Sequence, residues 1–156
     1  MSRPNVFAGE WEYDLDEEGI RGRTPSISAG ARELVVDSYE LAPGAEGYPL
    51  HAHYSIEELF VVLRGRPTLR TGEGEEQLET GDVVACPRGL EGMHTLANRS
   101  DEPALVLAIS TVQYPDVVIR PELGIASVST RPPWKPLAEG EDPGVVTRFC
   151  FVQATT

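Results

Sequence analysis

Apolar positions along this 156-residue chain come in short runs separated by turn residues. The most strand-like run is Glu58 to Leu63 (ELFVVL). Its two faces carry Glu58, Phe60, Val62 and Leu59, Val61, Leu63, both largely apolar, so the strand is expected to be covered on both sides. Glu33 to Leu41, Val83 to Cys86, Ala104 to Thr111, Asp116 to Arg120 and Val145 to Val152 have similar character. Tyr48 to His53 and His94 to Asn98 are expected to be extended. Thr68-Leu69-Arg70 and Gln77-Leu78-Glu79 flank Gly72-Glu73-Gly74, which reads as a hairpin tip. Pro43-Gly44, Gly65, Gly81-Asp82, Pro87 with Gly89, and Asn98 to Pro103 supply turns. No 3.6-residue apolar period persists, and few helix-start signals occur. About eight or more short strands at roughly ten-residue spacing predict an all-β fold, an antiparallel sandwich or barrel.

The length suits one domain with a respectable core. Residues 1–30 read as an N-terminal arm, with Val6, Phe7 and Trp11 able to pin it to the body and Ile20 to Gly30 as loop. Residues 31–121 hold the predicted barrel. Residues 122–156 read as a C-terminal tail, rich in Pro and Gly, that ends in the possible late strand.

The net charge of −12 disfavours nucleic acid and anionic membrane surfaces as partners, since both call for a basic face. No segment approaches the apolar length that spans a bilayer, and MSRPNVFAGEWEYD lacks a signal-peptide apolar run. The expected compartment is the cytoplasm. There a disulfide between the two cysteines, Cys86 and Cys150, is not expected. Cys86 lies in the apolar run VVAC and reads as a small core residue.

The candidate chemistry lies in the histidines. The chain has three, and all fall in one spaced pattern: His51 and His53 at i and i+2, Glu58 soon after, and His94 far downstream. On an extended segment His51 and His53 share a face. Two imidazoles on one face, a carboxylate from the next strand and a third imidazole from a distant one suit a divalent transition metal. Glu57 competes with Glu58 for the carboxylate role. The two point to opposite faces of the strand, so only one can join the imidazoles.

These residues resemble the cupin superfamily. Its first motif is matched by His51-Ala-His53, Tyr-Ser-Ile-Glu, Glu58, six residues and Gly65; its second by Gly81, five residues, Pro87-Arg-Gly89, a gap, His94, three residues and Asn98. The gap between Gly89 and His94 is longer than in the usual form, which makes a longer loop before His94. The resemblance covers about residues 31–121. It implies a jelly-roll, or double-stranded β-helix, barrel. It also implies that His51, His53, Glu58 and His94 bind one metal inside that barrel, and the motif count selects Glu58 over Glu57.

The ion could be Fe, Mn, Ni or Zn. With two positions open on an octahedral ion, Fe or Mn suits dioxygenase or decarboxylase chemistry. Zn, Ni or Mn suits Lewis-acid catalysis such as sugar isomerisation or epimerisation. The chain is therefore expected to be a small-molecule metalloenzyme of oxidoreductase or isomerase type. The alternative is a module that binds a sugar or carboxylate without turnover. No histidine is spare for proton transfer, so a Tyr, a Glu or metal-bound hydroxide would serve. Phe60 and Val62 share the face of Glu58 and, with Tyr48, are expected to wall the pocket. Arg64, Arg66 and Arg70 read as surface ion pairs. Trp134 and its neighbouring prolines would cover the barrel mouth or an interface. Edge strands of such barrels are often paired with a second subunit, and a homodimer is expected.

Overall fold

The computed structural model describes residues 2–15, 19–131 and the backbone of 146–150. Trp134 and Lys135 lie outside them, as do most of the Pro- and Gly-rich residues before the late strand. The described residues form thirteen strands: β1 (Tyr13–Leu15), β2 (Ile20–Arg23), β3 (Leu34–Leu41), β4 (Ala52–His53), β5 (Glu58–Arg64), β6 (Thr68–Thr71), β7 (Gly74–Gln77), β8 (Val83–Cys86), β9 (His94–Ala97), β10 (Ala104–Thr111), β11 (Asp116–Arg120), β12 (Ile125–Ser129) and β13 (Val146–Cys150). One short helix spans Pro25–Ala29. No helix among the described residues is long and apolar enough to cross a membrane.

Every pairing is antiparallel. A six-stranded sheet runs β1-β2-β3-β10-β5-β8; a four-stranded sheet runs β13-β12-β11-β4; a three-stranded sheet runs β7-β6-β9. His51 and His94 form a bridge that joins the last two. The His51 N–H donates to the His94 carbonyl (3.1 Å) and the His94 N–H to the His51 carbonyl (2.9 Å). The core lies between the sheets, with Leu41, Phe60, Val62 and Val106 from the large sheet meeting Leu69 and Leu96 from the small one.

Strand alternation accounts for β5. Phe60 and Val62 are buried, while Leu59, Val61 and Leu63 on the other face are half-buried, so only the inner face is fully covered. The hairpin forms with Thr71 paired to Gly74, leaving Gly72 and Glu73 as its tip.

Ile20–Arg23, expected as loop, is strand. Ile20 is buried in the core cluster opposite Leu41, and β2 hydrogen-bonds along β3. A single apolar residue among Arg and Gly carries too little local pattern to announce a strand; the edge of β3 supplies the partner. The N-terminal residues are pinned by a cation. Arg23 donates to the carbonyls of Gly9 and Val6 (both 2.7 Å) and lies over the Trp11 ring, while Phe7 is exposed. β12 is likewise a strand that its own residues do not announce. Gly124, with its positive φ of 63°, turns the chain so that β12 lies back on β11. The late strand forms as β13 beside β12.

Candidate metal centre

His51 and His53 flank Ala52 at the start of β4. Ala52 is fully buried and faces away from the imidazoles, so alternation brings both rings to one side. Their centroids are 5.1 Å apart. The cross-strand bridge then brings His94 beside His51, with centroids 4.7 Å apart. Glu58 opens β5 and points inward, whereas Glu57 is exposed. Donor atoms of His51, His53 and Glu58 all lie within 4.8 Å of one another, a grouping that can hold a metal ion. His94 stands beside this trio. Its Nε2 is 3.0 Å from Glu58 Oε2, and that of His53 is 3.7 Å from the same oxygen.

All three rings are oriented through Nδ1. That of His51 faces the Pro49 carbonyl oxygen (2.9 Å), that of His94 the Gly92 carbonyl oxygen (2.7 Å), and that of His53 the Asp116 carboxylate (2.6 Å). Carbonyl and carboxylate oxygens only accept, so each Nδ1 carries the proton and donates it. That turns Nε2 of each ring toward the cation position, as the nitrogen a metal would take once it carries no proton. The donor set therefore fits a divalent ion in both chemistry and orientation.

The long loop before His94 has a structural purpose. Leu90–Gly92 forms a 3-10 turn, and its last carbonyl is the one that receives the His94 Nδ1 proton. Gly92 packs so closely that a Cβ there would stand 1.8 Å from the Pro87 carbonyl oxygen. The loop is tied to β4 by the Gly89 N–H donating to the His53 carbonyl (2.7 Å).

Burial, reinforced by the neighbouring imidazoles, pushes His51 down to about 4, so it is neutral near pH 7. Burial opposes charge on His94 too, but the Cys86 thiol and the Glu58 carboxylate beside it outweigh that, and it is pushed up to about 10. Burial likewise opposes charge on Glu58, yet the His94 hydrogen bond and the three imidazoles hold it below the usual carboxylate range.

A cavity of about 130 Å³ opens on the centre, lined by His51, Glu58 and His94 and also by Tyr13, Asp37 and Tyr39. Of the residues expected in the wall, Tyr48 and Phe60 line it, Phe60 with its ring 5.1 Å from that of His94. Val62 is buried in the core beneath. Asp116, Tyr13, Tyr39 and Asp37 went unsuspected as site residues. For Asp37 a signal existed: it is the one charged residue on the face of β3 that carries Val35, Tyr39 and Leu41. Arg64 pairs with Glu40 (2.7 Å), Arg66 with Glu79 (3.1 Å) and Arg70 with Glu122, all away from the cavity.

Residues 38–110 match the family model of the cupin domain. The chain carries a cupin domain. The matched stretch contains the cupin barrel's four predicted ligands. A sugar phosphate isomerase of the cupin superfamily from Silicibacter pomeroyi is 26% identical, with a TM-score of 0.67 over 77% of this chain and 81% of that one. A structure from Acidithiobacillus ferrooxidans reaches a TM-score of 0.79 over 97% of this chain and 91% of that one, at 19% identity, and shares the fold. An uncharacterised protein of Methanocaldococcus jannaschii is 24% identical over 90 residues, 58% of this chain and 69% of that protein.

Proposed function

We propose that this cupin is a metal-dependent small-molecule enzyme, in which His51, His53, Glu58 and His94 hold one divalent transition ion and the substrate is a hydroxylated carbonyl compound of the sugar type. The observation that carries the proposal is the common orientation of the three imidazoles. Each commits its Nδ1 proton to an oxygen acceptor and leaves Nε2 for a cation beside Glu58. When bound, such an ion supplies Lewis-acid polarisation of a carbonyl.

The chain's own residues do the rest. Asp116 and the Pro49 and Gly92 carbonyls hold the rings in place. Tyr13 and Tyr39 line the cavity as neutral phenols, kept protonated by burial and by nearby negative charge, and so can donate hydrogen bonds to substrate hydroxyls. Phe60 gives the cavity an apolar wall against the His94 ring. Isomerisation is favoured over oxidation by the likeness to the Silicibacter pomeroyi sugar phosphate isomerase.

The test is elemental analysis of protein purified without added metal, followed by incubation with a panel of aldoses and ketoses. One equivalent of Mn, Ni, Zn or Fe and isomer formation abolished by a chelator are expected. Stoichiometric dioxygen uptake would replace the isomerase with an oxygenase. Thermal stabilisation by a sugar with no product from any panel member would replace it with a binding module.

A further inference from the structure

We propose that Asp37 is the proton-transferring residue of this cavity, a catalytic residue that moves a proton between adjacent carbons of a bound hydroxycarbonyl compound. The inference rests on the isomerase reading above, and its starting point is where β3 places the carboxylate. Asp37 alternates with Val35, Tyr39 and Leu41 on the inward face, and it lines the same cavity as Glu58, His51 and His94. Asp37 is paired with Ala108, which in turn is paired with Phe60, so two inter-strand steps, roughly 10 Å, separate Asp37 from the strand that carries Glu58. That interval is open because the residue between them, Ala108, is small and itself lines the cavity. A ligand a few carbons long seated at the imidazoles would therefore reach Asp37.

The carboxylate is also held as a working base is held. Thr24 Oγ1 donates to Asp37 Oδ1 at 2.6 Å, which orients the group. Among the described residues no hydrogen bond to Oδ2 forms, so that oxygen is available to a ligand. The groups facing Asp37 are Glu12 and Tyr13 from the N-terminal segment, Thr24 from the loop after β2, Glu58 from β5 and its own neighbour Tyr39. Burial raises the Asp37 carboxyl above its ordinary value; the Thr24 hydrogen bond offsets part of this, and the negative charges of Glu58 and Glu12 add to it. A carboxylate raised in this way is a stronger base.

The step balances without an added oxidant or reductant. Asp37 takes the proton from the carbon that bears the hydroxyl. The C–H electron pair becomes the C=C bond of an enediolate as the carbonyl π pair moves onto its oxygen. In the second half the proton of the neighbouring hydroxyl passes to that oxygen, and the hydroxyl oxygen becomes the carbonyl. The C=C pair then takes the proton back from Asp37 onto the neighbouring carbon.

The experiment uses the metal-loaded full chain with dihydroxyacetone and glyceraldehyde as probes in D₂O, following deuterium at carbon by NMR. Asp37→Asn keeps an oxygen acceptor for Thr24 but cannot take the proton. It should retain the metal content and melting temperature of the parent while losing exchange by about 100-fold or more, the scale of general base catalysis. Thr24→Val should move the acid limb of the rate profile to higher pH, because it removes the bond that lowers the Asp37 carboxyl. Retention of full exchange by Asp37→Asn would overturn the role of Asp37 alone. Absence of exchange in the parent protein with either probe and with the sugar panel would overturn the isomerase reading, and Asp37 with it. Should Asp37→Asn fail to fold, the Thr24→Val profile decides: an unmoved acid limb refutes the proposal.

Discussion

The His53 imidazole donates its Nδ1 proton to Asp116, a carboxylate 63 residues further along the chain, at 2.6 Å. Asp116 is almost fully buried, and its other oxygen accepts the Ser55 N–H at 3.0 Å, so both ends of the carboxylate are engaged. A buried acid with this partner fixes one tautomer of His53 and makes Nε2 a better donor to a cation.

Asp116→Asn is expected to keep the fold, because the amide matches the carboxylate in size and still accepts from Ser55. Its metal affinity should fall by about 10- to 100-fold. A chelator competition titration measures this, and an unchanged affinity would detach Asp116 from the centre.

Glu57 and Glu58 separate cleanly by face. Glu58→Gln removes the charge within reach of His53 and His94. It should bring metal content in purified protein to a small fraction of the parent's. Glu57→Gln alters an exposed side chain and should leave metal content and stability within error. Equal metal content in the two variants would refute the assignment.

The pH dependence of the metal-free protein follows from two histidines with opposite shifts. His94 is raised from 6.5 to about 10. Its proton is therefore held more tightly in the folded chain, and the stability it contributes is complete below 6.5 and lost as pH rises through 10. His51 is lowered from 6.5 to about 4. The unfolded chain takes up that proton first, so stability falls as pH drops from 6.5 toward 4. Urea midpoints of the metal-free protein should peak near pH 6.5 and decline on both sides. Metal uptake at pH 8 should release about one proton, from His94, which calorimetry in buffers of different ionisation enthalpy would count. A flat midpoint from pH 6.5 to 10 with no proton release would contradict this.

Gly47→Ala is expected to destabilise the protein by more than about 1 kcal/mol. Gly47 has φ +71°, and a Cβ there would stand 1.8 Å from the Leu96 carbonyl oxygen, in the strand that begins with His94. The same variant should loosen the His94 ring and weaken metal binding, both measurable by denaturation and titration. A variant as stable as the parent would mean that this turn is freer than its contacts imply.

Much of this was legible along the chain. The strands β3, β5, β8, β10 and β11 stand out because each is a run of branched and aliphatic residues closed by Pro, Gly or polar residues, and that local pattern survives folding. His51, His53 and Glu58 were legible for the same reason. Alternation along a strand is a short-range rule that puts Glu57 and Glu58 on opposite faces, and the motif count of the cupin resemblance then picks Glu58. β1, β2 and β12 were not legible, because their stability comes from the strand beside them and their own residues carry little pattern.

What the order of residues settles here is which face each side chain takes and which residue types are present to bind a cation. What it leaves open is which distant segments meet. Pairing of His51 with His94 and docking of Asp116 on His53 come from the register between strands far apart in sequence. The arrival of Asp37 in the cavity that His51 and His94 line has the same origin. Register is chosen by the whole set of buried contacts and backbone hydrogen bonds at once, since a slip of one residue would turn every inward side chain outward. No local stretch contains that information.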